Sequence, residues 1–394
     1  MKKTCEKTCG LAKMPFEHLK FTRHWELSEA TAYQLGQCQG LVDALSRVPL
    51  GPKTKQELKY VALAKGAQAS TAIEGNTLTD EEIQKVLHGK PLAPSKNYQA
   101  QEVGNIIKAM NEIANDMQPS PALITPKLLR RYHYLVGKNL SEPFNATAGN
   151  FAQSQRIVAD YRCPPPGRGK NQVEGLVKRL CQWLRQEFRF ESGKQSFSDG
   201  IVQAIVTHVY IEWIHPFDDG NGRTGRLVEF YLLLRAGVPD ICAHILSNHY
   251  NTTRPEYYAH IRQCQNEGQL TSFIAYAVTG FLDGLNEVWD AIADELLKRA
   301  WRGYVYDKFA EIKWSKPTFK RRRRLLLDMA LFQQYDIDSI QLASAKIARE
   351  YAKVNISTLK RDISSLIEAG LLVEDREAKT MSANIGILVG LGFG

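Results

Sequence analysis

Residues Ile214–Arg226 read IHPFDDGNGRTGR and place an imidazole, two carboxylates, an amide, three glycines and two guanidiniums within thirteen positions. The flanks decide the fold. Ile201–Trp213 (IVQAIVTHVYIEW) before the motif and Leu227–Leu234 (LVEFYLLL) after it are apolar around nearly their whole circumference, the pattern of helices buried on all sides. The motif is therefore a loop between two core helices, with Asn221–Arg226 as the first turn of the second. Gly220, Gly222 and Gly225 let the backbone approach a ligand closely, and the unsatisfied N–H groups of a helix start make an anion site. Arg223 and Arg226, three apart, share one face and can both fork onto phosphate oxygens. Asp219, with Asp218 second, suits Mg²⁺, which takes one or two carboxylates together with substrate phosphates. His215 stands at the rim as a neutral imidazole able to take a proton from an attacking hydroxyl. The chemistry implied is nucleotidyl or phosphoryl transfer.

These residues resemble the Fic family, whose signature H-P-F-x-D/E-G-N-G-R-x-x-R is matched at every fixed position. A chance match over about nine positions, at residue frequencies of roughly one in twenty, is on the order of 10⁻¹² per site. The resemblance covers roughly residues 28–290 and implies an all-α, Fic-type helical core with a small β-hairpin flap. It implies a protein adenylyltransferase, a nucleotidyltransferase that moves AMP from ATP to a hydroxyl side chain of a target protein. In that reading His215, Asn221, Arg223 and Arg226 are catalytic, and Asp219 holds Mg²⁺. Gly220, Asn221, Gly222, Arg223, Gly225 and Arg226 cradle the nucleotide, while Tyr258 and Asn266 line the adenine pocket beside Tyr257, Glu267 and Gly268. Removal of AMP from a modified protein is compatible with the same residues. So is a different class, a DNA-binding regulator in which the core senses nucleotide.

Upstream, Thr54–Glu74 reads as a helix with apolar Leu58, Val61, Ala62, Ala69 and Ile73, closed by Gly75. Its end, Ser70–Asn76 (STAIEGN), resembles the family's inhibitory motif, S/T-x-x-x-E-G/N. A Glu74 carboxylate on Arg226 would occupy the guanidinium that a γ-phosphate needs, so Ser70, Glu74 and Gly75 are expected to make the chain autoinhibited.

Composition fits a globular protein of two or three domains: 394 residues, 44% hydrophobic, 24% charged, net charge +9. No run approaches the roughly 18 apolar residues of a membrane span. The N-terminus is basic without an apolar core, so the reading is cytoplasmic. Seven scattered cysteines argue against a disulfide framework, and Cys5 and Cys9 read as free thiols in a tail over residues 1–15.

Helices are also expected over Glu26–Val48, Thr79–Leu87 from a capping box, Asn97–Met117, Thr125–Val136 and Gln172–Phe188. Residues 149–166 (GNFAQSQRIVADYRCPPP) break the helical pattern and suit a short hairpin, which in the family is a flap that pairs with an extended target segment. Ala152 stands where the family often has an arginine. His208 lies on a buried helix and reads as a core histidine.

A long helical pattern over Leu282–Phe309 leads to the basic run Lys320–Arg324. Ala345–Ala352 and Ser357–Glu368 have helix-turn-helix spacing, and Leu371–Val373 followed by Glu374–Lys379 suggests a strand and a wing. Leu359, Ile363, Leu366 and Ile367 form the inner face of the second helix, with Thr358, Lys360, Arg361 and Ser364 outside. The region looks like a winged helix, a fold that presents this helix either to DNA or to a protein. Between Lys316 and Lys379 stand thirteen Lys/Arg and nine Asp/Glu, a small excess. The expected division is 1–110 N-terminal helices, 111–290 catalytic core, 291–319 linker helix and 320–394 winged helix. Expected partners are a protein hydroxyl, the chain's own included, DNA through 320–394, a second copy as a homodimer, and no membrane.

Overall fold

The computed structural model describes residues 16–116, 124–188 and 196–388; the expected tail with Cys5 and Cys9 lies outside them, as does Met117. The chain forms two units, 1–288 and 289–394. In the first, α1 (Glu29–Arg47) starts where the Thr31 N–H donates to Ser28 Oγ at 3.1 Å, and it buries Leu35, Cys38, Val42 and Leu45, the stripe their spacing predicts. α2 (Pro52–Ala72) begins on Pro52, directly after Pro49-Leu50-Gly51. It ends at Gly75, whose φ of 97° disfavours any side chain. Arg254 closes that end from outside by donating to the Ala72 and Ile73 carbonyls.

Next come α3 (Asp80–Leu87), opened by the Thr79–Glu82 capping box, α4 (Asn97–Asn115), and α5 (Pro126–Gly137), capped by Thr125. The expected hairpin is β1 (Ile157–Val158) paired antiparallel with β2 (Tyr161–Arg162). Then follow α6 (Val173–Glu187), α7 (Phe197–Ile214) and α8 (Asn221–Arg235). α7 and α8 pack against each other and are buried almost all round. Ile205, Val209, Ile214, Leu227 and Phe230 are among their buried residues, and such side chains contribute roughly 1.5–3 kcal/mol each. Two helices that the sequence did not announce complete this side, α9 (Ile245–Thr252) and α10 (Arg254–Glu267).

The long helix, α11 (Thr271–Glu311), starts eleven residues before the expected Leu282. Residues 271–281 (TSFIAYAVTGF) are rich in β-branched and aromatic side chains, but Phe273, Ile274, Ala277, Val278 and Phe281 are all buried. Tertiary packing overrides weak helix propensity there.

The second unit contains the end of α11, then α12 (Lys316–Asp328), α13 (Ile337–Ile340), α14 (Ala345–Tyr351), α15 (Ile356–Glu368) and an antiparallel hairpin, β3 (Leu372–Asp375) with β4 (Thr380–Ala383). Trp301, Val305 and Phe309, from the stretch expected to be a linker, share one apolar cluster with Leu325, Leu359, Leu366 and Met381. Two arginines of the basic run are turned inward. Buried Asp362 accepts from Arg321 Nε at 2.6 Å, Arg322 Nε at 2.8 Å and Tyr351 OH at 3.1 Å, while Arg324 pairs with Glu350. Among the described residues no helix is long and apolar enough to cross a membrane, and Cys38, Cys163, Cys181, Cys242 and Cys264 are free and buried.

Candidate active site

α7 stops at His215, which turns left-handed (φ 49°, ψ 60°) while its N–H still bonds the Ile211 carbonyl at 2.8 Å. Such a backbone in a non-glycine residue persists only where its surroundings enforce it. Here they do. Phe217 is fully buried and stacks on His133 with ring centroids 3.8 Å apart. The Asn221 side chain accepts from the Phe217 N–H and donates to the Phe217 carbonyl, both at 2.8 Å. Asn221, expected to hold phosphate through its amide, therefore serves as a brace for the loop. His133 Nδ1 accepts from the Gly149 N–H, so its other nitrogen carries the proton and donates to the Asp219 carbonyl, each at 2.9 Å. Burial pushes the His133 imidazole down to about 4, which keeps it neutral in this role.

Behind His215 lies Arg156, a buried arginine that no sequence pattern marks. It donates to the carbonyls of His215 (3.1 Å), Ser154 (2.7 Å) and Pro164 (2.8 Å), joining the flap to the motif. Ala152 is buried and its N–H bonds the Pro216 carbonyl at 2.9 Å. The His215 imidazole is pushed down to about 4, first by burial and then by the Arg156 charge, against the pull of the Glu212 carbonyl, Glu74 and Asp219. It is thus a neutral imidazole at neutral pH, and among the described residues its Nδ1 has no hydrogen-bond partner. A base in its proton-accepting form is what the position offers.

The N-terminus of α8 faces the end of α2. A Cβ added to Gly222 would land on Glu74 Oε1 and within 3.0 Å of the Arg226 guanidinium, so the glycine is what lets the carboxylate lie against the helix start. Arg226, 1% exposed, donates to Glu74 Oε1 at 2.6 Å, to the Ser70 carbonyl at 2.8 Å and to Ser70 Oγ at 3.2 Å. Burial alone would raise the Glu74 carboxyl, but the charge and hydrogen bond of Arg226, with Arg223 and His215 beyond, bring it below its usual range. Arg223 faces elsewhere. It is 5% exposed and donates to Glu102, itself 7% exposed, and to Asp219 Oδ1 at 3.1 Å. The other Glu102 oxygen accepts from the Asn76 amide at 3.0 Å. Burial pushes the Glu102 carboxyl up while Arg223 pulls it down. Each arginine of the motif is therefore held by a carboxylate from an upstream helical element.

Asp218, the second choice for a metal, accepts from the Gln153 and Ser154 N–H groups at 3.0 and 3.1 Å and from Ser154 Oγ at 2.6 Å. Asp219 keeps an oxygen less committed, since among the described residues Oδ2 accepts only from the Asn145 N–H, at 3.2 Å. Among the described residues no three His, Cys, Asp or Glu side chains gather as a metal cage. One carboxylate beside an anion cradle is nonetheless the donor set that Mg²⁺ uses when phosphate and water supply the rest. Asp219 fits that set better than Asp218.

A cavity of about 930 Å³ opens beside the loop, lined by Tyr258 and Asn266, by Val158–Tyr161 of the hairpin, and also by His18, Glu212 and Trp213. Tyr257 is core, its hydroxyl 2.9 Å from His208 Nε2, and His208 is the buried histidine that its helix implied. Burial pushes the Glu212 carboxyl up to about 7, and among the described residues its Oε1 has no hydrogen-bond partner. Its signal in the sequence was a lone acid inside an otherwise apolar helix; nothing marked His18.

Residues 123–233 match the Fic/DOC family. Among curated proteins the chain is similar to the protein adenylyltransferases Fic of Nematostella vectensis (26% identical over 236 residues) and Culex quinquefasciatus (31% over 236 residues). The matches cover 59% of this chain and 50% and 43% of those proteins, so the chain spans half or less of their length. Among solved structures it is similar to a Fic family protein from Desulfovibrio desulfuricans, with a TM-score of 0.54, 18% identity, and 95% and 100% of the two chains covered. It is also similar to Fic-1 from C. elegans, with a TM-score of 0.52, 21% identity, and 67% and 73% covered. At those identities the likeness is one of fold.

Proposed function

The chain belongs to the Fic family through residues 123–233, and from that premise we propose that it transfers AMP from ATP to a hydroxyl side chain of a protein, itself included. The observation that carries this reading is a neutral, half-buried His215 one short loop from a helix N-terminus that already receives an anion, the Glu74 carboxylate. The target hydroxyl gives its proton to His215 while its oxygen bonds the α-phosphorus. The bond from that phosphorus to the β-phosphate oxygen breaks, and pyrophosphate leaves. Backbone N–H groups of Asn221, Gly222 and Arg223 and the Arg226 guanidinium meet the phosphate charge as it shifts. Mg²⁺ held by Asp219 would neutralise phosphate oxygens. The base sits in the cavity beside Tyr258 and Asn266. Glu74, lying where a phosphate would lie, makes the resting chain autoinhibited.

ATP labelled separately at the α- and γ-phosphates tests the reading. Protein labelled from α alone is the expected result. Label from γ means a kinase, and label from neither turns the reading to a nucleotide sensor or to removal of AMP.

We propose a second activity for the second unit, binding of duplex DNA. Lys360 and Arg361 are exposed on α15, which is followed by the β3–β4 hairpin, the element order of a winged helix. Because Arg321 and Arg322 are spent on Asp362, few cations remain for phosphate and the salt dependence is expected to be shallow. Lys360→Ala with Arg361→Ala should weaken binding several-fold and reduce the log–log salt slope by about two. Absence of binding by the full chain at low salt turns this unit into a protein-interaction module.

A further inference from the structure

Arg223 and Arg226 look equivalent in the sequence, three residues apart on one helical turn, yet their surroundings differ. Arg226 shares its anion with the helix start, where a ligand can replace Glu74, whose side chain is 32% exposed. Arg223 has no such opening. Its two terminal nitrogens are taken by Glu102 and Asp219, and all but 5% of its surface is covered. Phe144 lies against it with its ring centre 5.5 Å from the guanidinium carbon. Glu102 in turn is fixed by the Asn76 amide, which also donates to the Gln99 carbonyl at 3.1 Å, so the strut is anchored on α4.

We propose that Glu102 is a positioning residue: with Asp219 it holds Arg223 between two carboxylates, so that Arg223 orients the Asp219 carboxylate instead of binding the nucleotide. This rests on the reading of the site as a Mg·ATP site. One guanidinium nitrogen holds Asp219 Oδ1, while Oδ2 is held by the Asn145 N–H at 3.2 Å, and a guanidinium gripped from one side alone would let the pair rotate. The buried Glu102 supplies the second side. The arrangement is the one by which partners behind a ligand set its direction, and their loss typically reduces metal affinity roughly 10–100-fold.

The test measures binding of a fluorescent ATP analogue to the full chain carrying Glu74→Gly, first in EDTA and then with Mg²⁺ titrated in. Glu102→Gln and Arg223→Met should each raise the Mg²⁺ needed for half-maximal binding about 10–100-fold. Metal-free binding should stay within about twofold, and the double variant should be no worse than either single one, as expected of residues acting as a unit. The double variant also removes both buried charges together, so it stays folded if either single change, leaving one charge unpaired, does not. Glu102→Asp should recover part of the loss, which a purely structural role for the side chain's volume would not give. A Mg²⁺ response unchanged by Glu102→Gln and by the double variant overturns the proposal. So does a loss of metal-free binding in Arg223→Met as large as in Arg226→Met, which would make Arg223 a phosphate ligand. If the Glu74→Gly reference shows no Mg²⁺ response at all, both this proposal and the metal-assisted reading fail.

Discussion

Replacing His215 by alanine is expected to lower AMP transfer by about 10²–10⁴-fold, the usual contribution of a general base, with nucleotide affinity nearly unchanged. In the proposed mechanism the base acts on the incoming hydroxyl, while the phosphates meet α8 and Arg226. His215 sits at φ 49°, a region in which Asn, Asp and His are found several-fold more often than other non-glycine residues, alanine among them. His215→Asn, which tolerates the left-handed region better, should lose the same activity with less loss of stability. The imidazole is already pushed down to about 4. The proton-accepting form is thus lost only as pH falls toward that value, and the acid limb of kcat/KM should lie well below the usual histidine range. Transfer that survives in both variants, or an acid limb near 6.5, removes His215 from its role.

The second large effect runs the other way. Glu74→Gly should raise labelling, because Arg226 and the start of α8 lose the anion that competes with phosphate. A hydrogen bond to a charged group is worth about 1.5–3 kcal/mol, or roughly ten- to a hundredfold in the equilibrium between blocked and open sites. Arg226 keeps both its bonds to Ser70, so the guanidinium is not left bare and the fold should persist. Initial rates at saturating Mg·ATP decide the matter. An unchanged rate would reduce Ser70–Gly75 to an ordinary helix end.

What the sequence made legible was whatever is local. The all-round apolar pattern of Ile201–Trp213 and Leu227–Leu234 announced α7 and α8; the Thr79–Glu82 box, Pro126 and Gly75 marked element ends because caps depend on neighbours in the chain. The pairing of Glu102 with Arg223 joins residues 121 apart, and no periodicity carries that. Arg156 behind His215 and His133 under Phe217 are equally remote from the motif in the sequence, yet they fix the loop's shape. α9 and α10 escaped because polar ILSNHYNT and RPEYYAHIRQCQNE lack a clean stripe; packing and the Arg254 bridge to α2 give them their place. The run Lys320–Arg324 suggested a solvated or DNA-facing surface, and it took buried Asp362 to turn two of its arginines inward.

Incubating the full chain carrying Glu74→Gly with Mg·ATP, alone and with His215→Ala added, and weighing the protein afterwards tests the central claim most directly. The account predicts that the single variant gains the mass of AMP on a hydroxyl side chain and that the double variant gains nothing. A gain of phosphate instead of AMP, an AMP adduct that persists without His215, or no adduct on the single variant or on any added protein would contradict it.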